Sequence, residues 1–335
     1  MAATKQYPVY SVYVISGSTK YNLTPALTYI ERSDPKGQIS QRVRLQLLNV
    51  KLNGTSLASI LQPRCRVFVY ADDGIKNEEV FRGYLWTRYY KSSLSERDLK
   101  YTCYDNLIYL QNSEDSLYFA AGKATKDIVS SICKSWGVNL SYSYESIKHK
   151  KLPLRGNLYD ILTEDILAPV RKKTKKKFVV LSDKDTMYVK PTGSNTTIYQ
   201  FLGGKNIVST GSGWTMDGMV TKVVILGPAG DDGKEPIDAT VTGETSQYGT
   251  LQKIQDRDED TSLSDAKLEA QYIIDENGKP KWEYEIVALD IPWVRKGDKV
   301  YVHAGDIVQK HLIVVEVDRT SDNKKSEMTL TLEEL

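Results

Sequence analysis

Arg42, Arg44 and Gln46 alternate with Val43, Leu45 and Leu47. Successive side chains of a strand point to opposite faces, so this segment must bury one face and turn the other to water or to a polar lumen. Comparable strand-like runs occupy residues 9–15, 26–30, 66–70, 80–90 and 99–104. Turn-prone Asp34-Pro35-Lys36-Gly37, Asn53-Gly54 and Asp72-Asp73-Gly74 separate them. The first 105 residues therefore read as an all-β unit, a sandwich or a barrel.

After Asp105 the period changes. Ala124, Ile128, Ile132 and Trp136 recur every four residues, with Thr125 placed to cap the start and Gly137 to stop it, which predicts an amphipathic helix. A second helix is predicted over 158–167, between Asn157 as cap and Pro169 as terminator, with short strands at 178–181 and 187–190. Strand character returns over 198–226 and closes in a Gly-rich loop at 227–233. Next comes a helix starting near Ser264, with Leu263 and Leu268 as a hydrophobic staple and Gly278 just past its end. Four last strands, 282–289, 299–303, 312–318 and 328–332, read as a meander broken at Gly297-Asp298, Gly305-Asp306 and Asp322-Asn323.

A length of 335 residues, 26% of them charged, suffices for two or three soluble domains. The longest apolar stretches, 312–315 and 223–226, are too short to cross a bilayer, and the N-terminus shows no charged region followed by an apolar one. Neither membrane insertion nor conventional secretion is expected. Cys65, Cys103 and Cys133 are far apart and odd in number, which predicts free, partly buried thiols from a reducing cytoplasm. The 45 basic and 43 acidic residues leave a net charge of +2, with no global attraction to nucleic acid or anionic membrane. Tyr outnumbers Phe 22 to 5, and two readings stand: strands that meet another protein with the hydroxyl kept wet, or simply a good strand residue.

Chemical signatures are mostly missing. His303 and His311 could meet across a hairpin, but with no Cys or further His nearby they read, like His149, as surface or interface residues. Asp256, Asp258 and Asp260 imitate a calcium loop, yet Thr261 stands where Gly is needed and Lys267 where Glu should close the site. Gly211-Ser212-Gly213-Trp214 lacks the third glycine of a dinucleotide loop and precedes a strand. No G-x-S-x-G, phosphate-loop or H-E-x-x-H sequence occurs, and acidic pairs such as Glu164 and Asp165 cannot be placed across a cleft from sequence. Arg171-Lys172-Lys173 and Lys175-Lys176-Lys177 follow a predicted helix, as a solvated connector or as a patch for an acidic surface or nucleic acid. No catalytic, cofactor-binding or metal-binding residue is expected.

Four segments carry a resemblance. Tyr104-Asp105-Asn106-Leu107 precedes the 125–136 helix, and Gln247-Tyr248-Gly249 precedes the 264–276 helix. Leu289-Asp290-Ile291-Pro292 and Lys296-Gly297-Asp298-Lys299-Val300 then lead to the closing hairpin. In this order the chain resembles, over nearly its whole length, the baseplate hub proteins of phage contractile tails, in their XkdQ/YqbQ-like branch. These are scaffold patterns and not chemical signatures. The resemblance implies a mainly β fold with an α/β insertion: two tail-tube-like β-barrel domains plus a small α/β domain. The first barrel would comprise 1–105, completed by 198–235, the α/β insertion 106–197, and the second barrel, with one helix, 236–335.

It further implies a structural protein without enzyme activity or cofactor. The chain would be a homotrimer whose three copies supply six similar barrels, adapting a sixfold tail tube or tube-initiator protein to a threefold central spike or tail-lysozyme protein. Neither membrane nor sequence-specific nucleic acid would be a partner, and the location would be the tail particle, assembled in the bacterial cytoplasm. Two other readings stand beside it. One is a cell-wall-degrading tail hydrolase, which needs a catalytic carboxylate or histidine in a cleft. The other is a receptor- or carbohydrate-binding tail module, with Trp86, Trp214, Trp282 and Trp293 stacking on sugars.

Overall fold

The computed structural model describes residues 7–52, 54–92, 97–230, 233–322 and 324–334. Asn53, Asp231, Asp232 and Asn323, which belong to three of the expected turns and loops, lie outside the described residues. The chain divides into two units, Met1–Gly211 with Tyr284–Leu335, and Ser212–Glu283.

Thirteen strands join in one sheet. The N-terminal set is β1 (Val9–Ser16), β2 (Thr19–Asn22), β3 (Leu27–Asp34), β4 (Arg42–Leu48), β5 (Arg66–Asp72), β6 (Asn77–Ser92) and β7 (Arg97–Tyr104). The later set is β8 (Tyr199–Leu202), β9 (Ile207–Thr215), β10 (Lys281–Leu289), β11 (Lys299–Ala304), β12 (Ile307–Asp322) and β13 (Ser326–Glu334). Neighbours follow the order β9-β10-β13-β12-β3-β4-β7-β6-β5-β1-β2, while β11 pairs with β12 and β8.

Period-two burial along β1, β4, β5, β11 and β13 sorts the strands into two cores. Val12, Val14, Val43, Leu45, Leu47, Val67, Val69, Leu99 and Cys103 are shielded together in the first. Because they come from one face of several successive strands, the sheet must curl round them. No ladder closes it into a barrel among the described residues. Phe201, Tyr284, Ile286, Val300, Val302, Val314, Leu330 and Leu332 form the second core. All three cysteines are free and buried, and burial pushes the Cys133 thiol up to about 12.

The stretch expected to complete the first barrel is built elsewhere. β8 pairs in parallel with β11, and β9 lies beside β10, so Phe201 is buried in the second core. A dry strand face in sequence does not say which core it meets. The last four strands are also no meander, since β10 lies beside β13. The segment from Asp290 to Asp298 is too long for a hairpin turn and crosses to the first core instead.

The α/β insertion packs Thr125–Ser135 and the helical run Leu158–Asp160, Ile161–Leu167 and Ala168–Thr174 around Ile128, Ile132, Leu158, Ile161, Ile166, Met187 and Val189. Asn157 caps this run, its side chain accepting from the Tyr159 amide at 2.8 Å. Pro169 does not end it. The middle turns widen to a π-helix, and Pro169 falls in the first turn of a new α segment, where its missing N–H is no loss. The helix stops at Lys175, in left-handed conformation. Thr125 is the first helical residue and not the cap, and its hydroxyl accepts from the Ile147 amide at 3.0 Å.

In the second unit Lys222–Leu226, Ile237–Thr242 and Gln252–Asp256 form a three-stranded sheet under the helix Leu263–Asn277. Val223, Ile225, Ala266, Ala270 and Ile274 fill its small core. Ser262 caps the helix by accepting from the Asp265 amide at 3.1 Å. Leu263 and Leu268 are exposed and make no staple, because Leu263 is already the first helical residue.

Candidate functional site

The two cores meet along one seam, where β3 runs antiparallel to the second half of β12 and sets Arg32 opposite Arg319. Both arginines are 1% exposed. Burying two like charges needs compensation, and the loop after β10 supplies it. Asp290 Oδ1 stands 3.2 Å from Arg319 Nε as a buried ion pair, while Asp290 Oδ2 accepts from Tyr10 Oη at 2.5 Å and from Ser326 Oγ at 2.9 Å. Carbonyls of the same loop take further donors: Arg32 donates to Pro292 O, and Arg319 donates to Val294 O. Arg32 also donates to Val80 O at 3.2 Å, inside the first core's strands. Burial, with Arg319 close by, lowers the Arg32 guanidinium to about 10. Burial and then Asp290 raise the Tyr10 phenol.

The same loop grips the α/β insertion. Arg295 forks onto Asp34, Nε to Oδ2 at 2.7 Å and Nη2 to Oδ1 at 3.1 Å, and also donates to Ser182 O at 3.1 Å. Lys296 Nζ donates to Pro35 O at 2.9 Å and to Gln38 O. Trp293 Nε1 donates to Asp73 Oδ2 at 2.8 Å under the Lys76 ammonium, 3.9 Å from the ring centre.

The Tyr104-Asp105-Asn106-Leu107 segment works from the other side. Buried Asp105 accepts from the Gln41 amide at 2.8 Å, the Leu107 amide at 2.9 Å and Ser40 Oγ at 3.0 Å, and burial raises it to about 7. Asn106 donates to Asp185 O at 2.9 Å. Lys184 and Asp185 form a left-handed turn, and Asp185 Oδ2 receives Arg66 at 2.5 Å. Three of the four segments that carry the family resemblance are thus the fasteners of the first unit.

Burial acting alone would raise the Asp34 carboxyl, but Arg295 overcomes it and holds the group at about 2. Its folded pKa lies below the ordinary aspartate value, so its contribution is present above pH ~4 and disappears as pH falls through ~2. The loss amounts to about 2 kcal/mol. Carbon NMR of the Asp34 carboxyl is expected to show a midpoint near pH 2, and stability between pH 5 and pH 2 should fall more steeply than in Asp34→Asn. A midpoint in the ordinary carboxylate range would refute the pairing's strength.

The outward side of the same strands is polar across both cores. Thr102, Arg44, Glu31, Thr320 and Glu327 stand in one row over five strands, and Tyr104, Arg42, Ser33, Asp318 and Thr329 in the next. Arg44 Nη1 donates to Glu31 Oε1 at 2.6 Å, and Gln46 donates to Asp98 Oδ2 at 2.5 Å. Arg42, Arg44 and Gln46 therefore belong to one face that crosses the seam.

The residues weighed for chemistry do not assemble. His311 stands opposite Tyr301 and not His303, and His149 is buried against Thr125, 2.9 Å from its hydroxyl. Among the described residues no group of three or more His, Cys, Asp or Glu is placed to hold a metal ion. Asp256, Asp258 and Asp260 are exposed. Gly211 and Gly213 lie within β9. Lys176 pairs with Glu145, and Lys177 donates to Glu334 O at 3.4 Å, which makes the lysine run a connector tied at both neighbours. Trp293 is held at the loop as described, whereas Trp86, Trp214 and Trp282 are exposed.

Solved structures share this fold. The 43 kDa tail protein of prophage MuSo2 from Shewanella oneidensis is 14% identical, with a TM-score of 0.70 over 97% of this chain and 98% of that one. The tail protein from Neisseria meningitidis MC58 is also 14% identical, with a TM-score of 0.68 over 97% and 96%. The Escherichia coli c3393 protein, a type VI secretion component described as similar to T4 tail proteins gp27 and gp5, is 9% identical, with a TM-score of 0.58 over 92% and 74%. No curated protein matches the chain by sequence. The YQBQ-like family model matches residues 66–333, and the chain belongs to the YQBQ-like family.

Proposed function

We propose that this chain is a structural subunit of the central baseplate hub of a phage-like contractile tail, a homotrimer that adapts a sixfold tail tube to a threefold spike. The observation that carries the reading is the seam. One sheet runs through two separate cores, so each chain offers two tandem β units in fixed register, and three chains would offer six. The polar face crossing the seam suits the lining of a channel, because paired charges and hydroxyls hold water and present no apolar surface to a passing cargo. Its neighbours are the tube or tube-initiator protein on one side and the spike or tail-lysozyme protein on the other. The fold shared with prophage tail proteins and with c3393 supports this reading.

Quantitative mass spectrometry of purified tail particles tests it. Three copies per particle, equal to the spike protein, are expected. Six copies, or absence from particles that otherwise assemble, would overturn the assignment.

A further inference from the structure

The geometry points to a binding cleft on the first unit, beside the Leu61-Gln62-Pro63 turn, that takes an acidic peptide segment of a partner protein, seating an apolar side chain on Trp86 and a carboxylate on Arg88. The cleft measures about 330 Å³, enough for one or two side chains, and Leu61, Pro63, Leu85, Trp86, Arg88 and Tyr101 line it. A register shift between Leu85 and Thr87 makes Trp86 the extra residue of a β-bulge, a device that re-aims a side chain. Its indole is 38% exposed, although Leu61 and Leu85 beside it are buried.

The cleft's polar lining includes one cation and one buried phenol. Arg88 Nη1 donates to Ala58 O at 2.9 Å, and the guanidinium also acts on the Tyr101 phenol, so the cation is held at the cleft wall with further donors in its fork. Tyr101 is 2% exposed, and its Oη, near the Arg88 guanidinium, meets no group at full hydrogen-bond geometry among the described residues. A buried hydroxyl without a well-aligned partner is costly, and a ligand acceptor entering the cleft would satisfy it. Arg64 adds a second cation nearby: it sits in left-handed conformation with its guanidinium 5.9 Å from the centre of the Tyr109 ring, which packs edge-on against Trp86 at 5.6 Å. Among the described residues no carboxylate lines the cleft.

A sugar is the weaker fit. Gln62, the one amide on the wall, is already committed to Ala58 O and Ser59 O, so few groups remain to read several hydroxyls. Trp, Tyr and Arg together around a small apolar floor are the residue types that dominate protein–protein contacts.

The test uses the full chain labelled with 5-fluorotryptophan, whose five tryptophans give separate fluorine resonances, that of Trp86 being assigned by Trp86→Phe. Acetyl-Leu-Glu-Leu-amide is expected to shift the Trp86 resonance saturably in the millimolar range. The Gln analogue should bind on the order of ten-fold more weakly, and Arg88→Gln should cost the Glu peptide a similar factor. Tyr101→Phe should weaken binding a few fold while raising the unfolding temperature; a tyrosine with only a structural role would leave affinity unchanged. Equal affinity for both peptides, no shift with either, or a shift with chitotriose in their place would overturn the proposal. None of these outcomes depends on whether the chain trimerises.

Discussion

Replacing Asp290 by Ala is expected to lower the unfolding free energy by about 4 kcal/mol. The carboxylate is the acidic partner that Arg319 meets at the seam, and it lies 3.2 Å from that guanidinium with Arg32 opposite in the next strand. Its removal leaves two buried guanidinium groups leaning on backbone carbonyls, and it also strands Tyr10 Oη and Ser326 Oγ. The damage should concentrate where β3 meets β12. Hydrogen exchange in Leu27–Asp34 should therefore accelerate well before the strands around Val69 or Val302 open. Urea unfolding measures the total, and a loss under about 1 kcal/mol would show that the carboxylate is not what makes the arginine pair tolerable. A triple replacement, Asp290→Leu with Arg32→Met and Arg319→Met, provides the contrast. Apolar groups of similar volume often restore or exceed the stability of a buried ionic cluster, so the triple variant is expected to be far more stable than Asp290→Ala. If so, the charges serve register at the seam more than strength.

Arg32, Arg319 and Asp290 leave no joint signal in the sequence. The alternation around Val43 correctly located a dry face and a polar one, and Arg42, Arg44 and Gln46 are indeed on the polar face. By the same logic Arg32 and Arg319 would be read as wet. They are buried because a strand from the far end of the chain and the loop after β10 cover them together, and a contact between residues 32 and 319 leaves no periodic trace. Pro169 predicts a stop that the helix does not make for a related reason, since a π-turn that re-phases the helix is set by packing around Ile166 and not by local propensity. Asp290 and Gly297 were visible as parts of recurring motifs, but a motif without chemistry does not declare its partners. The cleft beside Trp86 was even less legible, because a β-bulge depends on the register of two strands.

Gly297→Ala is expected to cost about 3 kcal/mol and to act on a different joint. Gly297 sits at φ +87°, where an L-residue is disfavoured by about 1–2 kcal/mol. A methyl built there would also fall 2.6 Å from Val179 Cγ1 and 2.8 Å from its Cβ. The backbone has no freedom to withdraw, since the Gly297 amide donates to Val314 O at 2.7 Å and its carbonyl accepts from the Gly193 amide at 2.7 Å. One hydrogen bond ties it to the second core's strand β12 and the other to the end of the insertion. Val179→Gly in the Gly297→Ala background separates the two causes, because it removes Cβ and both branches of the valine but not the dihedral strain. Partial rescue, smaller than the full loss, is the expected result of that double-mutant cycle. Full rescue would mean that the left-handed conformation costs nothing there, and no rescue would mean that the contact with the insertion is not what fixes the glycine. Asp290→Ala and Gly297→Ala alter the same loop yet should fail differently, one loosening the seam between the cores and the other the hold on the α/β insertion. Because one loop fastens both cores and the α/β insertion, an Asp and a Gly seven residues apart answer to separate constraints, a buried charge pair in one case and a close backbone approach in the other.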